Sequence, residues 1–146
     1  MESLNNVTVV LIDQHRGLQK CLGETKDLTQ FTKPELSMII SSLKSFNSDL
    51  LAHRHLEEEV FYPELLRRMK ADDLDTFKTT EFIKEMEDIG VLVAVFLAKY
   101  LDDVILEKKL IDFIEELDNI TETLNIRIES EEAGVYGYWE ALQTRA

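Results

Sequence analysis

Apolar residues recur at alternating steps of three and four along two long segments of the chain. Such spacing places them on one face of an α-helix, because 3.6 residues make one turn. The first segment carries the stripe Ile39, Leu43, Phe46, Leu50, His53, Glu57 and Val60. The second carries the stripe Leu110, Phe113, Leu117, Ile120, Leu124, Arg127 and Glu131. Each stripe predicts a helix whose buried face includes polar side chains near its carboxyl end.

Two further segments have the same periodicity and bring the number of predicted helices to four. One spans about residues 6–26 and carries Leu11, His15, Leu18 and Leu22 on one face. The other carries Phe82, Met86, Ile89, Val93, Leu97 and Tyr100. Thr32, followed by Pro34 and Glu35, has the spacing of a capping box, so we expect the second helix to begin there. Amphipathic helices joined by short loops predict an all-α, antiparallel up-down four-helix bundle, with residues 1–146 as a single domain.

The second and fourth helices contain the same pattern, 74 residues apart. In both copies a nitrogen-bearing side chain precedes a double glutamate by four residues, and a tyrosine follows. The repeat pairs His53 with Arg127 and Glu57 with Glu131. A four-residue step puts both members of a copy on one helical face, so Arg127 and Glu131 are predicted to be buried together.

The first and third helices correspond in the same way, with His15 matching Met86 71 residues later. Each half of the chain is then a helix pair that supplies one residue and a nitrogen–carboxylate pair. In an up-down bundle these side chains meet at one level of the core, as the ligands of carboxylate-bridged di-iron bundles do. The six residues are His15, His53, Glu57, Met86, Arg127 and Glu131.

Charge and cysteine content exclude several classes of protein. The formal net charge of −13 repels nucleic acid and anionic membrane surfaces. The single cysteine, Cys21, excludes an intrachain disulfide, and no basic segment followed by a long apolar run begins the chain, so we expect a cytoplasmic location. The longest apolar stretch, Ile89 to Ala98, is too short to span a bilayer.

The residues quoted above resemble the hemerythrin family, in its bacterial branch known as the HHE cation-binding domain. The resemblance covers almost the whole chain. Its motifs are Leu11-Ile12-Asp13-Gln14-His15, His53-x-x-x-Glu57-Glu58, Phe61-Tyr62-Pro63, Glu131-Glu132 and Tyr136. It implies a helical bundle that holds non-haem iron and binds or senses O2, NO or iron. It also implies that His15 and His53 are ligands of a first iron, and that Glu57 and Glu131 are bridging carboxylates.

The second half of the chain departs from the family pattern, because Met86 and Arg127 stand where the motifs have histidine. A thioether or a guanidinium does not replace a neutral imidazole as an iron ligand. Three cofactor states therefore remain open: one iron per chain, two irons if Glu85 or Glu87 turns inward, and none. In the metal-free alternative, Arg127 replaces the metal electrostatically and the cluster is structural or regulatory.

A more remote alternative is a histidine phosphotransfer module, for which His15-Arg16-Gly17 is a weak signature and which needs an exposed His15. A nucleophilic enzyme is not favoured, since no serine or cysteine has a recognisable elbow motif. We expect His55 and the glutamates at 58, 59, 129 and 132 to be solvated, and Cys21 to have no metal role. After helix breaks at Gly134 and Gly137, an aromatic cluster is expected to close one end of the bundle: Tyr136, Tyr138 and Trp139.

Overall fold

A computed structural model describes residues 6–144, which form helices joined by short connections. The α-helices are α1 (Val7–Leu28), α2 (Leu36–Leu56), α3 (Tyr62–Ala71), α4 (Phe77–Tyr100), α5 (Asp103–Lys108), α6 (Leu110–Glu131) and α7 (Gly137–Gln143). Two five-residue π-helical turns, Glu57–Phe61 and Glu132–Tyr136, join α2 to α3 and α6 to α7 without breaking the helix.

Four long rods result, and they pack as an antiparallel bundle. The rods are α1, α2 continued by α3, α4, and α6 continued by α7. Helices α1 and α4 each contact both α2 and α6, so every rod borders two others. The prediction of an all-α four-helix bundle is confirmed. None of the described helices combines the length and the hydropathy that crossing a bilayer requires.

The buried apolar side chains form two clusters at different levels of the bundle. The larger cluster lies between α1, α2, α4 and α6 and includes Phe46, Phe113 and Leu117. The smaller cluster lies around α3 and α7 and includes Phe61, Leu65 and Trp139. Burial of each such side chain contributes about 1.5–3 kcal/mol, so the two clusters hold the helices in register. The buried polar residues discussed below lie on the helices between the two clusters.

The predicted start of the second helix is wrong by one turn. The structure begins α2 at Leu36, with Glu35 in the extended N-cap position, and Thr32 makes no capping bond. Pro34 explains the difference, because its ring disfavours helical backbone at the residue before it. Thr32 and Lys33 therefore lie in the connection.

The π turns change two more expectations. The chain does not break at Gly134 or Gly137, since the second π turn carries the helix on to Gln143. Val60, predicted to be on the buried stripe, is 37% exposed, whereas Phe61 is fully buried. A π turn accommodates an extra residue relative to an α-helical turn, so the buried face moves by one position.

Candidate metal centre

Four polar side chains from three rods meet in the core of the bundle. His15 comes from α1, His53 from α2, Glu57 from the start of the first π turn, and Glu131 from the last residue of α6. Their ligand atoms all lie within 4.8 Å of one another. All four residues are buried, with relative exposures of 4% or less. The four candidate ligands named from the sequence are therefore brought together in one group that can hold a metal ion.

Each histidine directs its Nε2 atom towards a carboxylate. His15 Nε2 lies 3.1 Å from Glu131 Oε1, and His53 Nε2 lies 3.2 Å from Glu57 Oε1. The two imidazole rings are neighbours, with centroids 4.6 Å apart. Two nitrogen and two oxygen donors thus converge on the same small volume.

The other ring nitrogens are held by side chains outside this group. His53 Nδ1 lies 2.8 Å from Gln14 Oε1, and His15 Nδ1 lies 2.8 Å from Glu132 Oε2. Arg16 Nη2 in turn donates to Glu132 Oε1 at 2.5 Å. An acceptor at Nδ1 keeps the proton there and leaves Nε2 free to bind a cation, which is how metal-binding histidines are commonly oriented. The prediction that Glu132 is a solvated residue is wrong, because it is only half-exposed and orients His15.

Two tyrosines complete the polar layer, and the π turns put them there. Tyr62 follows Glu57 by five residues and Tyr136 follows Glu131 by five, which is the repeat of a π-helical hydrogen bond. The phenolic oxygen of Tyr136 lies 2.7 Å from Glu57 Oε2, and that of Tyr62 donates to both glutamates. The sequence reasoning missed both roles. The shared Glu-x-x-x-x-Tyr spacing in the two repeats is the signal that could have found them.

Burial governs the protonation of the group. It raises the pKa of Glu131 to about 7, with the charge of Glu57 adding to the effect, and it also raises the pKa of Glu57. Burial and the nearby His15 lower the pKa of His53 to about 4, so this imidazole is neutral at physiological pH. For His15, burial opposes the charge, but Glu131 and Glu132 outweigh it and raise the pKa. One histidine is thus ready to bind a cation, while the His15–Glu131 pair retains a proton.

Arg127 is not part of this group, which corrects the prediction that it is buried beside Glu131. Its Nη1 donates to Glu85 Oε2 at 3.0 Å, and its side chain is 32% exposed. Ile128 takes the buried position instead. Both residues are compatible with the helical stripe, and burying the apolar one avoids the desolvation of a guanidinium. Within residues 6–144, no ion pair within 4.0 Å joins Arg127 to Glu57 or Glu131.

Met86 lies on α4 and lines a small cavity beside the group. Residues of the group and Tyr62 line this cavity of about 50 Å³ together with apolar residues that include Met86 and Ile128, and with the exposed carboxylates Glu58 and Glu87. Met86 and Ile128 belong to the half of the chain that lacks histidine. The apolar space therefore lies where a second set of ligands would be required for a second metal.

The Arg54 guanidinium covers part of this cavity and rests on Gly90. A Cβ atom at position 90 would lie 2.6 Å from Arg54 Cζ, so glycine is what allows the guanidinium to lie there. Arg54 also pairs with Glu58 at 3.2 Å. Among the residues that line the cavity, Arg54 is a flexible one at its edge.

Gly90→Ala is expected to expel Arg54 without unfolding the protein. Alanine gains about 1 kcal/mol over glycine inside a helix, and moving a partly exposed Arg54–Glu58 pair costs only a fraction of that. Thermal unfolding should show a smaller gain than for Gly23→Ala, a helix-interior control with nothing within 4 Å of the new methyl group. A loss of more than about 1 kcal/mol on Gly90→Ala would mean that Arg54 is held rigidly.

Other sequence expectations are settled by burial. His55, Glu58, Glu59 and Glu129 are exposed, as predicted. Glu85 and Glu87 are exposed too, and neither belongs to the buried ligand group. Cys21 is half-buried against the Ser42 carbonyl. Tyr136 and Trp139 pack in the end cluster, whereas Tyr138 is 37% exposed. His15 is only 2% exposed, so the exposed histidine that the phosphotransfer alternative needs is not found at this position.

A four-helix bundle with two buried histidines and two buried glutamates defines a helical protein with a histidine–carboxylate cation site. The model of the hemerythrin HHE cation binding domain matches residues 6–139, and the chain belongs to this family. No curated protein and no solved structure matches the chain.

Proposed function

We propose that this protein binds one iron ion per chain and uses it to bind or sense a small gas, O2 or NO. The ligands are His15, His53, Glu57 and Glu131. The observation that carries this proposal is the convergence of four buried donor atoms within 4.8 Å, in a member of a cation-binding family.

The donor set fits iron. Imidazole and carboxylate are the side chains that non-haem iron prefers, and zinc accepts the same set. Two ionised glutamates bring a charge of −2, which a divalent cation offsets in a buried site. The Nδ1 partners Gln14 and Glu132 supply the outer hydrogen bonds that metal-ligating histidines usually have.

A single metal is proposed because Glu131 is the one buried donor that the second half of the described chain brings to the group, and Glu87, which also lines the cavity, is exposed. Met86 and Ile128 offer a thioether and a hydrocarbon, Gly90 offers no side chain, and Arg127 lies at the surface with Glu85. The two-iron state and the metal-free state in which Arg127 replaces the cation are both disfavoured by these positions. A metal-free structural bundle, in which Tyr62 and Tyr136 stabilise the carboxylates by hydrogen bonding, is the competing proposal, since both hydroxyls already donate to Glu57.

The cavity beside the ligands suggests that the site also takes up a small molecule. A space of about 50 Å³ accommodates a diatomic molecule or one to two waters, and its walls are mainly leucine, isoleucine, valine and methionine. Iron, when bound, supplies the electronic chemistry that O2 and NO require. The chain supplies an apolar compartment that excludes bulk water, and the exposed edge at Arg54 and Glu58 supplies the route in.

Anaerobic titration of tag-free, chelator-treated protein with Fe(II) tests the stoichiometry. One equivalent should bind, followed by a change of absorbance on addition of NO. Two equivalents would restore the two-iron alternative, and no binding would leave the bundle as a metal-free structural module.

Metal affinity should depend on pH in a direction set by the pKa shifts. A cation must displace the proton that Glu131 holds with a pKa of about 7, and the proton favoured by the raised pKa of His15. The affinity for Zn(II) is therefore expected to fall by at least about tenfold per unit as the pH drops from 7 to 5. Competition titrations with a chromophoric chelator measure this, and an affinity independent of pH would contradict the proposed ligands.

A further inference from the structure

We infer that Tyr136 is a fifth ligand of this centre and that its phenolate oxygen selects ferric iron. The inference rests on the proposed function, because it needs a metal at the four-residue group. The ligand that it adds lies on the π turn after α6. The repeat pattern alone does not distinguish Tyr136 from Tyr62.

The distances around Tyr136 carry the inference. Its phenolic oxygen lies 2.7 Å from Glu57 Oε2, 3.0 Å from Glu131 Oε1 and 3.3 Å from His15 Nε2. Ligand atoms about 2.1 Å from a common metal ion in octahedral geometry are separated by about 3 Å along each edge. The three contacts are hydrogen bonds in the structure, and their lengths are also close to those expected between neighbouring ligands of one metal ion.

The position of Tyr136 is fixed by packing. Its ring stacks on His15, with centroids 5.3 Å apart and planes 14° from parallel. The Phe61 ring meets it edge-on at 5.2 Å, and the side chain is 1% exposed. The π turn sets the register that brings this residue back to Glu131, five positions earlier. A ligand held on a rigid element in this way needs little reorganisation when a cation enters.

Tyr62, the repeat partner of Tyr136, has different surroundings. Its hydroxyl bonds to Glu57 and Glu131, and among the described contacts it bonds to no histidine nitrogen. It faces the cavity together with Met86, the residue that corresponds to His15. The loss of histidine from that half thus leaves Tyr62 outside the ligand set, as a residue that positions the two carboxylates. The two tyrosines form a matched pair for experiment.

Donor number leaves room for a fifth ligand, and charge favours the ferric ion when that ligand is a phenolate. The two histidines and two glutamates give four donors, and iron accepts five or six, so one more protein ligand fits. Two carboxylates and one phenolate sum to −3, which matches Fe(III) in a buried site, whereas with Tyr136 protonated the two carboxylates sum to −2, which matches a divalent ion. On ligation the phenol O–H bond breaks, the O–Fe bond forms and the proton passes to solvent. The iron enters as Fe(III), so the step transfers no electron.

Spectroscopy of protein loaded with ferric citrate tests the assignment. Iron content is measured first, and then visible absorption and resonance Raman spectra are recorded for the wild-type protein, Tyr136→Phe and Tyr62→Phe. We expect a phenolate-to-iron charge-transfer band, with enhanced tyrosine ring vibrations, in the wild-type protein and Tyr62→Phe, and its loss in Tyr136→Phe. The affinity of Tyr136→Phe for Fe(III) should fall at least about tenfold, and its affinity for Zn(II) should fall less.

The outcomes separate this inference from the proposed function. Wild-type protein that binds one iron without a charge-transfer band would overturn the tyrosine ligand alone. A band that survives in Tyr136→Phe and vanishes in Tyr62→Phe would show that Tyr62 is the ligand, and would also overturn the assignment to Tyr136. Wild-type protein that takes up no iron from ferric citrate but binds Fe(II) would overturn the tyrosine ligand alone, and protein that binds neither ion would overturn both proposals. Because the wild-type Raman spectrum is informative by itself, the test does not depend on the variants folding.

Discussion

Replacing His53 by alanine is expected to lower metal affinity by on the order of 100-fold or more. Mutation of an outer partner of a metal ligand already costs about 10–100-fold, and His53 is proposed to contact the ion itself. Its Nε2 lies beside Glu57 with the ring neutral, since its pKa is lowered to about 4. No further histidine can replace it, because the neighbouring His15 is already a proposed ligand and His55 is exposed. Metal titration by calorimetry measures the loss.

His55→Ala is the matched control for this variant. It removes a histidine two residues away that is exposed, and it should leave metal affinity unchanged. Circular dichroism of both variants separates metal binding from folding, since His53→Ala leaves Glu57 less well paired and should cost about 1–3 kcal/mol of stability. Equal metal affinity in His53→Ala and wild-type protein would show that the buried group is a structural cluster.

Glu131→Gln is expected to stabilise the metal-free protein at pH 8 while abolishing tight metal binding. Burial raises the pKa of Glu131 in the folded state to about 7, from an ordinary value of 4.5. Below pH 4.5 such a carboxyl is protonated in both states and does not lower the free energy of unfolding. As the pH rises towards 7 the free energy of unfolding falls, and above pH 7 the full loss is present. At about 1.4 kcal/mol per pKa unit, the penalty that glutamine removes is about 3 kcal/mol. Such a gain at the cost of function is common for buried site residues.

The pH dependence identifies the cause of this gain. Urea unfolding of chelator-treated protein should show a difference between Glu131→Gln and wild type of about 3 kcal/mol at pH 8, and less than about 1 kcal/mol near pH 5. Glu129→Gln, two residues away on the exposed face of α6, should change stability by no more than about 0.5 kcal/mol at either pH. A Glu131→Gln variant that is less stable than wild type at pH 8 would mean that the ionised carboxylate is well compensated without a metal.

The four-helix bundle and the central histidine–glutamate group follow from the sequence because both depend on helical periodicity. His15, His53 and Glu57 lie on stripes whose other members are large apolar residues, so no other face of their helices can point to the core. The repeat then locates Glu131 by analogy with Glu57. These four positions need no knowledge of loops or side-chain packing, and the structure places them together as the stripes predict.

The register beyond Glu57 and the choice between Arg127 and Ile128 do not follow from the same reasoning. A π turn is a local deviation that shifts later residues by about one position, and nothing in a 3.6-residue pattern announces it. It explains why Val60 is exposed and why Tyr62 and Tyr136 reach the carboxylates. Arg127 and Ile128 both fit the stripe after Leu124, and the cost of burying a guanidinium decides between them. The periodicity does not distinguish these two neighbours, whereas the free energy of burying each side chain does.

The two halves of the chain differ in a consistent way. The half with His15 and His53 supplies imidazoles whose outer nitrogens are held by Glu132 and Gln14. In the other half, Met86 and Ile128 line the cavity, and Arg127 pairs with Glu85 outside the buried group. The proposed function assigns the cation to the first arrangement and the gas to the cavity beside it.

Anomalous diffraction from crystals loaded with Fe(II), with data collected on both sides of the iron absorption edge, tests the central claim most directly. The account predicts one peak per chain, about 2.1 Å from His15 Nε2 and His53 Nε2 and in contact with Glu57 and Glu131. Two peaks sharing the glutamates, or a bundle with no peak between the two histidines, would contradict it.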